Sequence, residues 1–404
     1  MGRNDSIVEA VGGDGVIEMT DQMPVDQASC DLLRAIVMRP NPRSPQQLGQ
    51  FAREIRDWNS ALSLAREHRV LALLFSRLEE MGAVVPPETR EILETEYQRN
   101  VFHSLANAAE LIAVLAAFDR ESIPAMPFKG VVLGASIYEN PSTRPAGDLD
   151  LLLNYKHLLR ATSILLERGY DLKTPVHADG TPAAEDYYEY HFERRADGMV
   201  LELRWRLELT QPRFKCELGM DWVWPRRRST MLAGAQVPDM NPEIALLALC
   251  MHGSKHVWSR LIWIYDVEQL LAGCPNLDWK AVLQEAKRSG LWRSLALGVL
   301  LAHNLAGAPV PPPILRRFKA DRSARNLALH LEKHLFDAPG TTPESRVPYN
   351  VQLLGFRDRA RWLLSLDFLR PNERDQAFIP LPGPLHFLYY LVRPLRILWD
   401  KSAR

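Results

Sequence analysis

The chain has 404 residues, a formal net charge of +0 and a pI near 7.2, with 47% hydrophobic and 24% charged residues. That is the make-up of an ordinary globular protein of two or three domains, and it carries no global field to draw nucleic acid or anionic lipid. No uninterrupted apolar run reaches the ~18 residues of a spanning helix, and no basic start precedes an apolar core at the N-terminus, so the expectation is a cytoplasmic protein without a membrane span or secretory signal.

In chain order, residues 1–29 read as a flexible, glycine-containing acidic tail. Residues 30–122 read as a helical region. Ser44-Pro45 has the form of a cap followed by Pro at the first helical position. Leu71, Leu73, Leu74, Leu78 and Met81 make one apolar helical face, and Pro86-Pro87 ends it and starts a helix running to Arg120. Residues 123–238 alternate short strands and helices. Met126-Pro127-Phe128 is a strand, Val131 to Tyr138 a helix, Asp148 to Asn154 a strand, and His157 to Arg168 a helix closed by Gly169. Residues 191–194 and 199–207 form a hairpin turned at Asp197-Gly198. Such alternation predicts an α+β fold, a small mixed sheet flanked by N- and C-terminal helical domains. Residues 239–310 read as four helices, opened by Asn241-Pro242-Glu243. Residues 311–404 begin at Pro311-Pro312-Pro313 and are rich in arginine (Arg316, Arg317, Arg357, Arg359, Arg361, Arg393 and Arg396). Leu385, Leu388, Tyr389, Val392 and Leu395 have near-helical spacing, which suits packing on the helical domain or an interfacial membrane contact. Cys30, Cys216, Cys250 and Cys274 show no Cys-x-x-Cys spacing and read as reduced.

The chemistry concentrates between Lys129 and Glu202. Asp148 and Asp150 stand at i and i+2 on a strand and therefore share a face. Two carboxylates this close repel unless a cation compensates, and oxygen donors suit Mg²⁺ or Mn²⁺. Glu202, set between leucines on a later strand, adds a third acid as a metal ligand or a proton acceptor. Three carboxylates on neighbouring strands can hold two metal ions ~3.5–4 Å apart, as phosphoryl chemistry requires. Against this, isolated Asp-x-Asp pairs are commonly solvated strand edges, and Glu202 with Arg204 and Arg206 can make a salt-bridging face. Lys129-Gly130 leads into a helix N-terminus, a natural seat for a triphosphate. Arg144 either clamps phosphate or neutralises Asp148. His252, Lys255, His256 and Arg260 fall on one helical face, which can close over nucleotide or acceptor with Asp266 as its ion-pair partner, or remain a solvated stripe. A zinc site at His252 and His256 lacks the acid expected between them.

This order of motifs resembles the nucleotidyltransferase superfamily related to DNA polymerase β, and more closely its bacterial family 5 branch. The matching residues are Lys129-Gly130, Arg144, Asp148-Leu149-Asp150, Gly169-Tyr170 and Leu201 to Trp205, then His252, Lys255-His256, Trp258, Arg260-Leu261, Trp263, Asp266 and Leu277-Asp278-Trp279. Two residues depart from the pattern: Val131 stands where Ser or Gly is usual, and Arg204 where His is usual. The resemblance implies an enzyme that transfers NMP from an NTP, ATP among the candidates, and releases pyrophosphate. Its acceptor would be a small molecule, a protein, a glycan precursor or tRNA. Two other readings start from the same residues: a non-catalytic nucleotide- or partner-binding regulator, and a toxin-like transferase acting on tRNA or protein.

Overall fold

The computed structural model describes residues 26–38, 44–83, 85–183, 187–208, 217–337, 349, 353, 378–390 and 392. Most of the expected tail and Arg357, Arg359, Arg361, Arg393, Leu395 and Arg396 lie outside the described residues.

Five helices come first: α1 (Gln27–Val37), α2 (Ser44–Glu54), α3 (Trp58–Glu67), α4 (Leu71–Glu80) and α5 (Pro87–Arg120). Helix α1 begins just inside the stretch read as a tail. Pro87 sits in the first turn of α5, where its missing N–H costs nothing. By length and composition α5 alone among the described helices could cross a membrane. In the fold its polar residues are tied to the sheet region instead. Asn107 donates to the Ala146 carbonyl at 3.0 Å, and Glu110 pairs with Arg168 at 2.8 Å and Arg194 at 2.6 Å.

The sheet follows. Its strands are β1 (Ala125–Pro127), β2 (Asp148–Leu153), β3 (Tyr170–Leu172), β4 (Glu189–Arg194) and β5 (Val200–Arg204), in the spatial order β1-β2-β5-β4-β3. Strands β2 and β5 run parallel, and the other pairs are antiparallel. Helix α6 (Gly130–Ile137) connects β1 towards β2, and α7 (Leu158–Glu167) precedes β3. The architecture is thus α+β with a mixed sheet, as the alternation predicts. The hairpin at Asp197-Gly198 is β4–β5, with Gly198 at φ 73° as its turn requires. Two further strand pairs are β6 (Arg206–Glu208) with β7 (Glu217–Gly219), and β8 (Arg227–Leu232) with β9 (Ala235–Met240). A short helix α8 (Met220–Val223) lies between β7 and β8.

The period-2 pattern splits the sheet's faces. Leu149, Leu151, Leu153, Leu201, Leu203, Tyr190 and Phe192 form one core with the second half of α5 and with α7. On the opposite face Met126 and Leu152 join a second core. That core contains α1–α4 together with α9 (Pro242–Lys255), α10 (Leu261–Gly273), α11 (Trp279–Arg288), α12 (Trp292–Ala306), α13 (Pro312–Lys319) and α14 (Arg322–His334). Helical stretches far apart in sequence therefore meet in space. His68 after α3 stitches them together: its Nδ1 accepts from the Leu261 N–H and its carbonyl from the Ile262 N–H, both at 3.3 Å. In the C-terminal run Gly383–Leu388 forms a 3-10 turn, and Tyr389 is buried, its hydroxyl accepting from the Leu381 N–H.

After α9 the chain reverses through Val257 and Trp258, both left-handed. This drops the buried Trp258 ring onto the helices, where Gly253 of α9 and Gly298 of α12 leave room for it. A Cβ at Gly253 would lie 2.6 Å from the ring; one at Gly298 would lie 2.8 Å from it and 2.6 Å from Cys250 Sγ. Overpacking of a rigid core costs about 1–3 kcal/mol, so Gly253→Ala and Gly298→Ala should each lower stability by that much in urea melts. Gly49→Ala, with only Arg53 Nη2 at 3.9 Å, should raise it by about 0.5–1 kcal/mol through helix propensity alone. Equal effects at all three positions would refute the packing argument.

Candidate active site

Alternation carries Asp148 and Asp150 of β2, Glu202 and Arg204 of β5, and Glu189 and His191 of β4 onto one face. The register makes this explicit: Asp150 pairs with Glu202, Glu202 with His191, and Arg204 with Glu189. One carboxylate oxygen each from Asp148, Asp150 and Glu202 lies within 4.8 Å of the others. Three hard oxygen donors at this spacing fit a divalent cation of the Mg²⁺ or Mn²⁺ type.

Lys129 enters from the side. Phe128 N–H still bonds the Asp150 carbonyl, at 3.0 Å, so β1 delivers the chain alongside β2. Lys129 then takes a left-handed backbone (φ 61°, ψ −140°) at the cap of α6, a conformation that is strained for a residue with a Cβ. Its Nζ lands 3.1 Å from Asp150 Oδ2. Arg204 Nε bonds the other oxygen, Oδ1, at 2.9 Å, while its two terminal nitrogens pair with Glu202 and Glu189. Burial works against the Asp150 charge, but Lys129 and Arg204 outweigh it and hold the carboxyl well below the usual range. Glu202 moves the other way: burial and then the Asp150 charge push its proton affinity up. His191, partly exposed, stands 4.0 Å from Glu202.

Arg144 spends its hydrogen bonds on Asp266 and on backbone carbonyls, with Asp148 adding a smaller attraction. It is buried beneath the Lys129 turn, where Nε and Nη2 grip Asp266 of α10 at 2.8 and 3.1 Å. Its Nη1 donates to the Gly130 carbonyl at 3.0 Å, and Asp266 also accepts from Tyr138 at 2.6 Å. Burial disfavours the guanidinium charge, yet Asp266 more than offsets it and raises the pKa. The partners of Asp266 are thus Arg144 and Tyr138. The basic face of α9 differs from expectation, because α9 ends at Lys255 and Arg260 lies beyond the reversal, its guanidinium over Trp263 at 5.4 Å. Lys255 reaches the rim of the site and bonds the Tyr188 hydroxyl, and burial lowers its pKa. His256 caps α9 and packs on His252 and Trp263 at 4.6 and 5.1 Å. Burial, then Lys129 and His256, keep His252 neutral.

The sequence reading brought in Lys129, Asp148, Asp150 and Glu202, which do come together. It gave no role to Glu189, His191 or Tyr188. The alternation Glu189-Tyr190-His191-Phe192 was the available signal, since a strand with apolar residues at 190 and 192 must turn 189 and 191 towards the acids.

Three convergent oxygen donors beside a cationic strand-to-helix turn are consistent with a divalent-metal site. Residues 54–307 match a family described as uncharacterised nucleotidyltransferases, and the chain belongs to that family. No curated protein sequence matches significantly. Similar solved structures include a lincosamide antibiotic adenylyltransferase with lincomycin bound (13% identity, 40% of this chain and 94% of that one, TM-score 0.29). Another is ANT(2'')-Ia in complex with adenylyl-2''-tobramycin (17% identity, 46% of this chain and 98% of that one, TM-score 0.32). Likenesses this low carry no weight for substrate.

Proposed function

We propose that the protein transfers a nucleoside monophosphate from an NTP to an acceptor and releases pyrophosphate. The observation that carries this reading is the convergence of Asp148, Asp150 and Glu202 on parallel strands beside Lys129, within a nucleotidyltransferase family. Asp148, Asp150 and Glu202 would hold Mg²⁺ or Mn²⁺, which when bound supplies Lewis-acid stabilisation of charge on the phosphoryl oxygens. Lys129 and the Gly130 helix N-terminus take the β- and γ-phosphates. Arg144 positions that turn through the Gly130 carbonyl. Lys255, with His256 behind it, faces the nucleotide from the α9 side. An acceptor oxygen attacks the α-phosphorus, the bond to the β-phosphate oxygen breaks, and pyrophosphate leaves. Glu202 either completes the metal site or, with His191 4.0 Å away, receives the acceptor's proton. Acceptors compatible with this chemistry are small-molecule hydroxyls, protein side chains, glycan precursors and tRNA ends.

A second reading, a non-catalytic nucleotide-binding regulator, has one observation in its favour: both Asp150 oxygens already carry cations. Thermal stabilisation by ATP, GTP, CTP and UTP, with and without Mg²⁺, separates the two. A nucleotide at about 100 times its Kd stabilises by ~2.7 kcal/mol. A transferase should show a shift with at least one nucleotide that needs Mg²⁺ and disappears in Asp148→Asn. A shift indifferent to both would favour the regulator, and no shift under any condition would sink both readings.

A further inference from the structure

We infer that Arg204 is a triphosphate-binding residue, stored on the metal-binding carboxylates until nucleotide arrives; the inference rests on the nucleotidyl-transfer reading above. A guanidinium presents its N–H donors in a fixed planar fork. Here that fork is divided among three strands. Nε bonds Asp150 on β2 at 2.9 Å, one terminal nitrogen pairs with Glu202 on β5, and the other with Glu189 on β4. The side chain is only 11% exposed.

Two of those three carboxylates are the proposed metal ligands, and the third is not. Each Asp150 oxygen already faces a cation, Lys129 at Oδ2 and Arg204 at Oδ1. A divalent cation arriving alone competes with cations that the buried carboxylate already holds, and is repelled by them. Even a displaced guanidinium would stay buried beside the metal, two positive centres together, which is unfavourable in so dry a place. A nucleotide changes this balance. Its phosphate oxygens match the planar fork as well as carboxylates do. Arg204 can then release Asp150 and Glu202 while keeping Glu189, the register partner on β4 that anchors it beside the site. Metal and nucleotide binding are thereby coupled: the metal binds weakly by itself and tightly when triphosphate draws Arg204 away.

The probe is Mn²⁺, titrated into the full-length protein by electron paramagnetic resonance, without nucleotide and with a non-hydrolysable NTP analogue. Arg204→Gln should bind Mn²⁺ roughly tenfold more tightly than the native protein when nucleotide is absent, within the usual range of coupling between sites. It should also bind the analogue more weakly, and the analogue should enhance its Mn²⁺ affinity less. Lys255→Gln removes a nearby charge without breaking a carboxylate contact, so an equal rise in that variant would reduce the effect to charge alone and overturn the proposal. Equal nucleotide-free affinity in native protein and Arg204→Gln, with binding lost in Asp150→Asn, would also overturn it while leaving the metal site standing. Absence of Mn²⁺ binding in every variant, with or without analogue, would overturn the metal-dependent reading itself. If Arg204→Gln fails to fold, Arg204→Lys retains the charge but not the fork, and its nucleotide-free affinity should rise in the same direction; no rise would count against the stored arginine.

Discussion

Asp148→Asn should leave the fold standing and remove metal-dependent turnover, whereas Asp150→Asn should damage both. The two acids are neighbours on one strand face, yet their surroundings differ. Asp148 is half-buried at the start of β2. Asp150 is buried and carries Lys129 and Arg204. An amide at position 148 costs about 1 kcal/mol or less, since no buried ion pair is opened and repulsion between the acids falls. An amide at position 150 leaves two cations facing a neutral group that is itself a donor, and breaking a buried pair in this way costs ~3–5 kcal/mol. Under the proposed mechanism, catalysis should depend on the two alike. Metal stabilisation of developing phosphoryl charge is worth several kcal/mol, so loss of a ligand should slow pyrophosphate release by ~10³-fold or more. Urea melts and metal-dependent pyrophosphate release, measured side by side on both variants, give the answer. An Asp148→Asn protein that turns over normally would remove that carboxylate from the metal site.

Much of this site was legible because strands write their faces into the sequence. Asp-Leu-Asp-Leu and Leu-Glu-Leu-Arg each say which side chains share a surface, and the parallel register then places Asp150 beside Glu202. The long helix from Pro87 to Arg120 was legible from its opening proline and its apolar composition. What stayed hidden depends on distance in sequence. Nothing local tells Arg144 that its main partner is Asp266, 122 residues away; Asp148, near in the chain, adds only a smaller attraction. The face drawn through His252, Lys255, His256 and Arg260 assumed an unbroken helix, and the reversal at Val257-Trp258 uses left-handed backbone at residues that rarely adopt it. The β8–β9 ribbon escaped for a similar reason: Ala233-Gly234 makes its turn, both residues with positive φ, where Asn-Gly or Asp-Gly would have announced it. Strand β3, three residues long, is too short to show a period.

Asp266→Asn should be among the most destabilising single substitutions in the chain, at ~3–5 kcal/mol, because it leaves Arg144 buried without its counter-charge. Tyr138 would lose its charged acceptor in the same step. The more informative comparison is Arg144→Met with Asp266→Leu. Replacing a buried ion pair by apolar side chains of similar volume is often neutral, so the double variant should recover most of the stability lost by either single one. In a double-mutant cycle the coupling should reach the upper end of the usual 0.5–3 kcal/mol. Nucleotide binding should not recover with it. The Gly130 carbonyl would still lack the Arg144 donor that fixes the turn, and Lys129, held at φ 61° against its own steric preference, would be free to relax. A network that only stabilises the fold would regain stability and nucleotide affinity together in the double variant. One that also positions the turn would regain the first alone, and the protein's affinity for its preferred NTP, measured by calorimetry on the refolded double variant, decides between them.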